Sequence, residues 1–361
     1  MLNKLILEDG QEYYGNSFGA EEERILELVF NTSMTGYQEI LSDPSYTDQA
    51  VVMTYPLIGN YGMAEDDYET KRPTTGALIV REYNDEPSNF RSTETLSEVM
   101  RRFGIPGIYG LDTRKLNRSI RDYGSRKVLL TKADTPLEEG LKKLKAYTMP
   151  RDAVSRVSSP EIRELKGEGS GPHVVAIDCG MKKNIVRSLL KRGCRLTIVP
   201  WDTPADTIRS MKPDGVFISN GPGDPADVPE TIETVKELIG SFPVFGICLG
   251  HQIIALSCGA ETYKLKFGHR GGNHPVRNLE NGKIEITSQN HSYAVKEESL
   301  SGTLLKITHK NLLDQTVEGL RSEKERVFSV QYHPESAPGP QDSAYLFDRF
   351  VRMMEEDRIH A

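Results

Sequence analysis

The sequence predicts an α/β protein with two parts: a C-terminal doubly wound, mostly parallel sheet with a nucleophile elbow, and a separate mixed α+β N-terminal domain. Three observations support this prediction. The chain has 361 residues, too many for one ordinary domain and suitable for two. Strand and helix patterns alternate from Val174 onwards, which is typical of βαβ units. The sequence Gly246-Ile247-Cys248-Leu249-Gly250 lies where a buried apolar run meets an amphipathic one.

The first half is predicted to form one domain over residues 1–150, built of short strands, turns and a few helices. Apolar runs separated by glycine-rich punctuation predict strands at 5–7, 26–30, 50–54 and 76–80. Helical spacing predicts helices at 94–103 and 112–123. Residues 151–172 are predicted to be a linker, because Glu164–Pro172 is rich in glycine and polar residues.

Residues 173–361 are predicted to form the second domain. The predicted strands are 174–178, 195–199, 215–219 and 243–247, and the predicted helices between them are 185–191, 205–211 and 229–239. Residues 283–332 are strand-rich, and a helix over 342–355 closes the domain. Sites in such sheets lie at the carboxyl ends of strands, so we expect the chemistry after Asp178, Ser219 and Ile247.

Composition excludes several classes of protein. The formal net charge of −7 argues against a general nucleic-acid surface. No apolar stretch approaches the roughly 20 residues that span a bilayer, and the N-terminus lacks a signal-peptide core, so we expect a cytoplasmic protein without membrane contact. The four cysteines form no C-x-x-C pair, which predicts free thiols and no metal site. They are Cys179, Cys194, Cys248 and Cys258.

Cys248 is the candidate nucleophile. A G-x-C-x-G sequence at a strand-to-helix turn is a nucleophile elbow with cysteine in place of serine, and the sharp turn requires small flanking residues. The thiol is placed at a helix N-terminus, where the macrodipole favours the thiolate. A buried cysteine is more often inert, and the flanking glycines favour the catalytic interpretation. The elbow therefore predicts covalent chemistry on a carbonyl group.

His333 is the candidate base. It follows the strand pattern 327–332, and Glu335 comes two residues later, with Pro334 restraining the backbone towards an extended geometry. Side chains at i and i+2 of extended backbone point to one side, so the Glu335 carboxylate can orient the imidazole that takes the proton from Cys248. His251 also follows the elbow, but the first helical turn points it away, so we interpret it as a packing residue.

An acyl intermediate also needs an oxyanion hole. The backbone N–H of Leu249 is the first predicted donor, because it follows the nucleophile. The loop 219–225 after a predicted strand supplies the second, and its Gly221 and Gly223 let the backbone approach a ligand closely.

The motifs 245–252, 219–225 and 332–335 together resemble the class I, or triad, glutamine amidotransferases. The resemblance covers about half of the chain, and three motifs in this order make it specific. It implies hydrolysis of the glutamine side-chain amide through a γ-glutamyl thioester, with release of ammonia. It also implies that Cys248 is the nucleophile, His333 the general base and acid, and Glu335 the orienting group.

The first half narrows this resemblance to one family. The segments 30–46, 54–62, 110–116 and 267–275 are similar to the small subunit of carbamoyl phosphate synthetase. The resemblance implies a large-subunit partner in a heterodimer, or in a higher oligomer of heterodimers. That partner uses ATP and Mg to make carbamoyl phosphate from bicarbonate and ammonia. This chain has no P-loop motif, so we expect no cofactor in it. The sequence leaves open whether the product enters arginine or pyrimidine synthesis.

The same resemblance implies a set of residues that bind L-glutamine. They are Ser45, Gly221, Gly223, Leu249, Gln252, Asn290, Ser292 and Tyr293. The family usually has Gly-Phe where this chain has Ser292-Tyr293. We expect glutamine binding to survive this change, because the contact there comes largely from the backbone. The family's Asp-Phe-Gly is here Asp178-Cys179-Gly180, and we assign Cys179 no role.

Two other functions remain open at this stage. A stand-alone cysteine hydrolase, such as a γ-glutamyl peptidase, could use the same elbow but has no reason to carry the N-terminal domain. A catalytically silent scaffold subunit is the non-enzyme alternative, and the intact set of Cys248, His333 and Glu335 argues against it.

Overall fold

The chain forms two compact units in the computed structural model, which describes residues 1–360, with side chains described through residue 357. Unit 1 is Met1–Pro150, and unit 2 begins at Arg151. Among the described residues, no helix combines the length and the apolar character required to cross a membrane.

Unit 1 is a closed barrel with helices. Its strands are β1 (Leu2–Leu7), β2 (Glu12–Gly19), β3 (Arg24–Asn31), β4 (Gln49–Met53), β5 (Leu57–Ile58), β6 (Ala77–Val80), β7 (Glu82–Tyr83), β8 (Pro106–Tyr109) and β9 (Arg126–Lys132). Its α-helices are α1 (Tyr37–Ser42), α2 (Leu96–Arg102), α3 (Thr113–Tyr123) and α4 (Leu137–Ala146). Seven strands close in the order β1-β2-β8-β6-β4-β3-β9, and β5 pairs with β7.

Local capping sets the boundaries of α2 and α3 in unit 1. A capping box joins Thr95 and Glu98 at the start of α2. The Asp112 side chain accepts a hydrogen bond from the Lys115 N–H at the start of α3, and Gly124 with a φ of 91° ends that helix. The four predicted strands and both predicted helices of this half are present, and β2, β5, β7, β8, β9, α1 and α4 add to them.

Unit 2 is built on one ten-stranded sheet. Its strands are β10 (Arg163–Lys166), β11 (His173–Asp178), β12 (Arg195–Pro200), β13 (Gly215–Ile218), β14 (Val244–Ile247), β15 (Thr262–Asn278), β16 (Ile284–Val295), β17 (Lys306–Asn311), β18 (Val317–Ser322) and β19 (Val327–Val330). Its α-helices are α5 (Ala153–Val157), α6 (Lys183–Leu190), α7 (Ala205–Ser210), α8 (Pro229–Leu238), α9 (Leu249–Ser257) and α10 (Tyr345–His360).

The strand order in this sheet is β10-β12-β11-β13-β14-β19-β18-β17-β15-β16. The five strands from β12 to β19 in this order run parallel, and the remaining pairs are antiparallel. The predicted doubly wound, mostly parallel sheet is confirmed at its centre. Strands β12 and β13 lie on opposite sides of β11 in the sheet. The loop after β11 and the loop after β13 therefore run in opposite directions, which makes the carboxyl end of these strands a topological switch point, the usual position of a binding site.

Both faces of the central strands are buried, which explains their continuous apolar runs. On β11, Val175 and Ile177 belong to one core cluster and Val174 and Ala176 to the other, as the two-residue period of a strand requires. Helices α7, α8 and α9 contribute to the first cluster. Helices α6 and α10 contribute to the second, in which Phe245 stacks on Phe328.

The segment 151–172, predicted as a linker, contains α5 and β10. Strand β10 pairs antiparallel with β12, with Arg163 opposite Ile198, and Val154 of α5 is part of the first core cluster. All four residues of β10 are exposed. A short polar edge strand of this kind resembles a linker in composition, because only its backbone is held by the sheet.

The turn from β14 into α9 depends on close backbone approach. A Cβ at Gly250 would lie 2.2 Å from the carbonyl oxygen of Ile218, and one at Gly246 would lie 2.7 Å from the carbonyl oxygen of Gly250. Both distances are shorter than any normal contact, so only glycine fits at these two positions. Cys248 stands between them with a φ of 54° and a ψ of −103°.

We expect Gly250→Ala to lower the free energy of unfolding of unit 2 by about 3 kcal/mol, the upper end of the usual overpacking range, because the new methyl group must displace the backbone of β13. Urea unfolding followed by fluorescence of Trp201, the one tryptophan of the chain, reports on this unit. Trp201 packs against the first core cluster.

Gly282→Ala is the matched control. Nothing lies within 4 Å of a Cβ there, and the φ is 75°, so only the left-handed backbone costs stability, at roughly 1 kcal/mol. Equal losses in the two variants would show that the close approach to β13 is not the constraint described here.

Candidate active site

Cys248 lies at the carboxyl edge of the sheet, between β14 and α9. Its backbone N–H donates to the carbonyl oxygen of Val330 at 2.9 Å, which ties the turn to β19. Its Sγ lies 3.5 Å from the carbonyl oxygen of Asn290 on β16. A left-handed backbone at a non-glycine residue costs about 1–3 kcal/mol and is typical of functional sites. The fold therefore holds this thiol in a strained, fixed position.

His333 and Glu335 follow β19 and form a buried pair. The His333 N–H donates to the carbonyl oxygen of Ser288 at 2.9 Å, and the imidazole Nδ1 donates to Glu335 Oε1 at 2.6 Å. Both side chains are almost fully buried. With Nδ1 bound to the carboxylate, Nε2 is left for the proton that is exchanged with a reacting group.

The surroundings favour a charged imidazole. Burial by itself lowers the pKa of His333, but Glu335 raises it strongly and Cys248 raises it further, against a lowering by Lys182, so that the pKa rises to about 10. An imidazolium beside a cysteine is the arrangement that stabilises a thiolate nucleophile.

Lys182, at the start of α6, was missed by the sequence reasoning. Its Nζ lies 2.8 Å from Glu335 Oε1 and donates to the carbonyl oxygen of Ser336 at 2.9 Å. Burial raises the pKa of Glu335, but Lys182 and His333 lower it to about 2. Lys182 follows the end of β11, and this strand-end position is the signal that could have found it.

The predicted oxyanion loop after β13 is held tightly. A Cβ at Gly221 would lie 2.2 Å from the carbonyl oxygen of Cys179, and Gly223 has a φ of 90°. The Ser219 hydroxyl accepts from the Cys179 N–H at 2.9 Å, and the Ser219 carbonyl accepts from the Gly250 N–H at 3.1 Å. These bonds fix the loop against both the end of β11 and the start of α9.

Leu249 is the first residue of α9, so its N–H has no acceptor within the helix. An amide that directly follows the nucleophile and is not used within the helix is the first donor expected in an oxyanion hole. Together, Cys248, His333, Glu335 and this amide form a site that can attack a carbonyl group and stabilise the resulting negative charge.

Strand β16 carries the predicted binding residues Asn290, Ser292 and Tyr293. The Tyr293 carbonyl accepts from Gln252 Nε2 at 2.8 Å, which joins α9 to β16. The Ser292 hydroxyl accepts from the guanidinium of Arg270 at 2.5 Å. Ser292 and Tyr293 are therefore held through a side chain and a backbone carbonyl, respectively.

Seven of the eight predicted glutamine-binding residues lie in unit 2, on the loop after β13, on α9 and on β16. Ser45 lies in unit 1, on the 3₁₀ turn Pro44–Tyr46, where its N–H donates to Asp43 Oδ1 at 2.9 Å. The contribution of Ser45 to binding stays a prediction.

His251 and the other three cysteines of unit 2 are packing groups. His251 Nδ1 lies 2.9 Å from the Ser329 hydroxyl, and burial lowers its pKa to about 3, so it is neutral. Burial raises the pKa of the Cys179 thiol far above its usual range, and that of Cys194 and Cys258 to about 11. Inert thiols were expected at these three positions.

Among the described residues, one buried group has metal-ligand chemistry: His269, His291 and Glu318. His269 Nε2 lies 2.8 Å from Asp314 Oδ2 and His291 Nδ1 donates to the Tyr293 carbonyl at 2.7 Å, whereas His269 Nδ1 and Glu318 Oε2 are buried without a hydrogen-bond partner in the described part of the chain. These two hydrogen bonds join the cluster to the loop before β18 and to the backbone of β16.

Comparison of the sequence with models of known protein families identifies the class of protein to which this site belongs. A model of the class-I glutamine amidotransferases matches residues 175–353, which contain the whole site of unit 2. A model of the carbamoyl-phosphate synthase small chain CPSase domain matches residues 5–130. Unit 2 is thus a class-I glutamine amidotransferase domain, preceded by a second domain in unit 1.

Relatives extend this likeness over the whole chain. The carbamoyl phosphate synthase small chain of Fusobacterium nucleatum is 51% identical over 358 residues, 99% of each chain. That of Bacillus caldolyticus is 53% identical over 356 residues, 99% of this chain and 97% of its own. The pyrimidine-specific small chain of Halalkalibacterium halodurans is 51% identical over 361 residues, 100% of this chain and 99% of its own. The chain therefore belongs to the carbamoyl phosphate synthase small chain family, as its sequence motifs indicated.

We expect Cys248 to be alkylated by iodoacetamide near neutral pH at least about tenfold faster than the other three cysteines, because only this thiol lies beside an imidazolium. Peptide mass spectrometry over a time course measures each thiol separately. His333→Gln should slow the reaction of Cys248 alone. Faster reaction at Cys258, the most exposed of the four, would contradict the assignment.

Proposed function

We propose that this chain hydrolyses the side-chain amide of L-glutamine and delivers the ammonia to a large synthetase subunit that makes carbamoyl phosphate. The observation that carries the proposal is the buried constellation of Cys248, His333 and Glu335, in a chain whose two halves match the two domains of the carbamoyl phosphate synthase small chain. A stand-alone hydrolase would not need the domain of unit 1, which matches the CPSase domain of the small chain.

In the first step, the Cys248 thiolate attacks the side-chain carbonyl carbon of glutamine. A bond forms between Sγ and this carbon, and the carbonyl electron pair moves onto oxygen. The resulting oxyanion is stabilised by the Leu249 N–H and by the backbone of the loop at Gly221. Each such donor contributes about 2.7–4 kcal/mol to lowering the barrier.

Ammonia then leaves with a proton from His333. The imidazolium donates from Nε2 to the amide nitrogen, the carbon–nitrogen bond breaks, and a γ-glutamyl thioester remains on Cys248. His333, now neutral, takes a proton from water while the water oxygen attacks the thioester. The carbon–sulfur bond breaks, glutamate is released, and the thiolate and imidazolium are restored.

Glutamine recognition is assigned to Gly221, Gly223, Leu249, Gln252, Asn290, Ser292 and Tyr293 in unit 2, and to Ser45 in unit 1. The contacts of Tyr293 support a binding role for β16, because its carbonyl is joined to Gln252 on the helix that begins at the nucleophile. Asn290 is joined to the nucleophile itself through its carbonyl oxygen.

ATP chemistry is assigned to the partner. The small-chain family implies a large subunit, and we propose that ATP and Mg are used there, in a heterodimer or an oligomer of heterodimers in the cytoplasm. The lack of a P-loop sequence in this chain supports that division of labour.

Cys248→Ser tests the nucleophile in the complex with the large subunit. We expect glutamine-dependent carbamoyl phosphate synthesis to fall by at least about 10³-fold, because a triad without its nucleophile loses the covalent route. Synthesis from ammonium salts should persist, because the partner performs it. Unchanged glutamine-dependent synthesis would refute the assignment, as would ATP-dependent synthesis by the isolated chain.

Ser292→Gly tests the departure from the family sequence. The variant removes the hydroxyl that accepts from Arg270, so the strand should become less well held, and KM for glutamine should rise about 2- to 10-fold with kcat little changed. Steady-state glutaminase kinetics measure both constants. Ser301→Gly, at an exposed position of unit 2, is the control and should leave them unchanged. A large fall in kcat with unchanged KM would contradict a role in binding.

A further inference from the structure

We infer that Lys182 is a positioning residue for the catalytic groups: its ammonium group holds the Glu335 carboxylate ionised and aimed at His333. This inference rests on the proposed function, because it concerns how the same site attacks glutamine. It extends the set of three predicted catalytic residues by a fourth that acts through Glu335 without touching the substrate.

The main observation is that one oxygen serves two cationic donors. Glu335 Oε1 accepts from His333 Nδ1 at 2.6 Å and lies 2.8 Å from Lys182 Nζ. The exposed fractions of the Lys182 and Glu335 side chains are 3% and 0%. A buried ammonium group is costly unless it is paired and hydrogen-bonded. Lys182 satisfies this condition through Glu335 and the Ser336 carbonyl, so its position is tied to the carboxylate.

The backbone of Lys182 is fixed as well. It directly precedes α6, and its N–H donates to Asn220 Oδ1 at 3.2 Å. Asn220 belongs to the loop that contains Gly221, the predicted oxyanion loop. Lys182 therefore links the ends of β11, β13 and β19, three of the four parallel strands whose loops surround the site. Moving Glu335 would require this whole junction to move.

The charges around the pair give Lys182 a definite electrostatic effect. His333 is faced by Glu335 from the loop after β19, by Lys182 from the start of α6 and by Cys248 from the start of α9. Lys182 is the leading cause that lowers the pKa of Glu335, and it also lowers the pKa of His333. Without this cation, both groups hold their protons more tightly, and Glu335 loses its orienting charge at a higher pH.

The experiment uses the complex with the large subunit and two variants. Lys182→Gln keeps a hydrogen-bond donor near Glu335 and removes the charge, whereas Lys182→Met removes both. The neighbouring Lys183 is exposed, so Lys183→Met is the matched control. Each complex is assayed for glutamine-dependent and ammonia-dependent synthesis across pH.

We expect kcat with glutamine to fall by about 10- to 100-fold in Lys182→Gln, less than the roughly 10⁴-fold loss when an orienting carboxylate itself is removed from a serine triad. KM should change little. The pH at which activity is half-lost on the acid side should move upwards by about 1–3 units, because an opposite charge lowers a carboxyl pKa by that amount. Ammonia-dependent synthesis and the Lys183→Met profile should match those of the unchanged complex.

A merely structural role would lower activity equally at every pH, so an unmoved acid limb in Lys182→Gln would overturn the inference, as would wild-type kcat. If Lys182→Met fails to assemble, the Lys182→Gln profile still decides. The variant Cys248→Ser distinguishes failure of the proposed glutaminase function from failure of the inference about Lys182. If it keeps glutamine-dependent synthesis, the proposed function fails. If it is inactive while both Lys182 variants behave like wild type, only this inference fails.

Discussion

Unit 2 depends on the close approach of α9 to the ends of β13 and β14. The Gly250 N–H bonds the Ser219 carbonyl, and the Cys248 N–H bonds the Val330 carbonyl, so the turn is held from two neighbouring strands. No side chain larger than hydrogen fits at Gly246 or Gly250. The same contacts that stabilise the sheet edge therefore force the cysteine into its left-handed backbone and place its thiol at the helix N-terminus. The close approach of α9 to the strand ends therefore accounts both for the packing of this turn and for the position of the reactive thiol.

Charge burial is the second constraint. Lys182, Glu335, His333 and Cys248 form a row of neighbouring groups. The ammonium group of Lys182 contacts the carboxylate of Glu335, this carboxylate contacts the imidazolium of His333, and the imidazolium faces the Cys248 thiol, which becomes a thiolate when it reacts. Each charge is adjacent to the opposite one, which offsets the large cost of removing it from water. Replacing one of these charged residues by a neutral one leaves its neighbour's charge buried and unpaired, so single substitutions in this row are expected to lower stability and activity. As a result, the protonation states of His333 and Glu335 are set by their surroundings.

The sequence allowed the central sheet and the elbow to be predicted, because both are local patterns. Alternating runs mark parallel strands, and two glycines around Cys248 mark the turn. The barrel of unit 1 could not be predicted, since its closure pairs Leu5 on β1 with Leu130 on β9, a contact that no local pattern reveals. Strand β10 was taken for linker because its side chains face solvent. Lys182 was missed because a lysine at a helix start usually lies in water, and only the fold buries it beside Glu335.

The hydrogen bonds of β16 bear on the positions Ser292-Tyr293, where the sequence resemblance implies Gly-Phe. The Tyr293 carbonyl accepts from both Gln252 and His291, so the backbone position is fixed whichever aromatic ring is attached. The Ser292 hydroxyl, which a glycine would lack, is bound by Arg270 from the adjacent strand β15. Ser292 is half-buried, and the bond from Arg270 satisfies its hydroxyl. The strand thus tolerates new side chains because its carbonyl groups, which need no particular side chain, carry the contacts to Cys248 and Gln252.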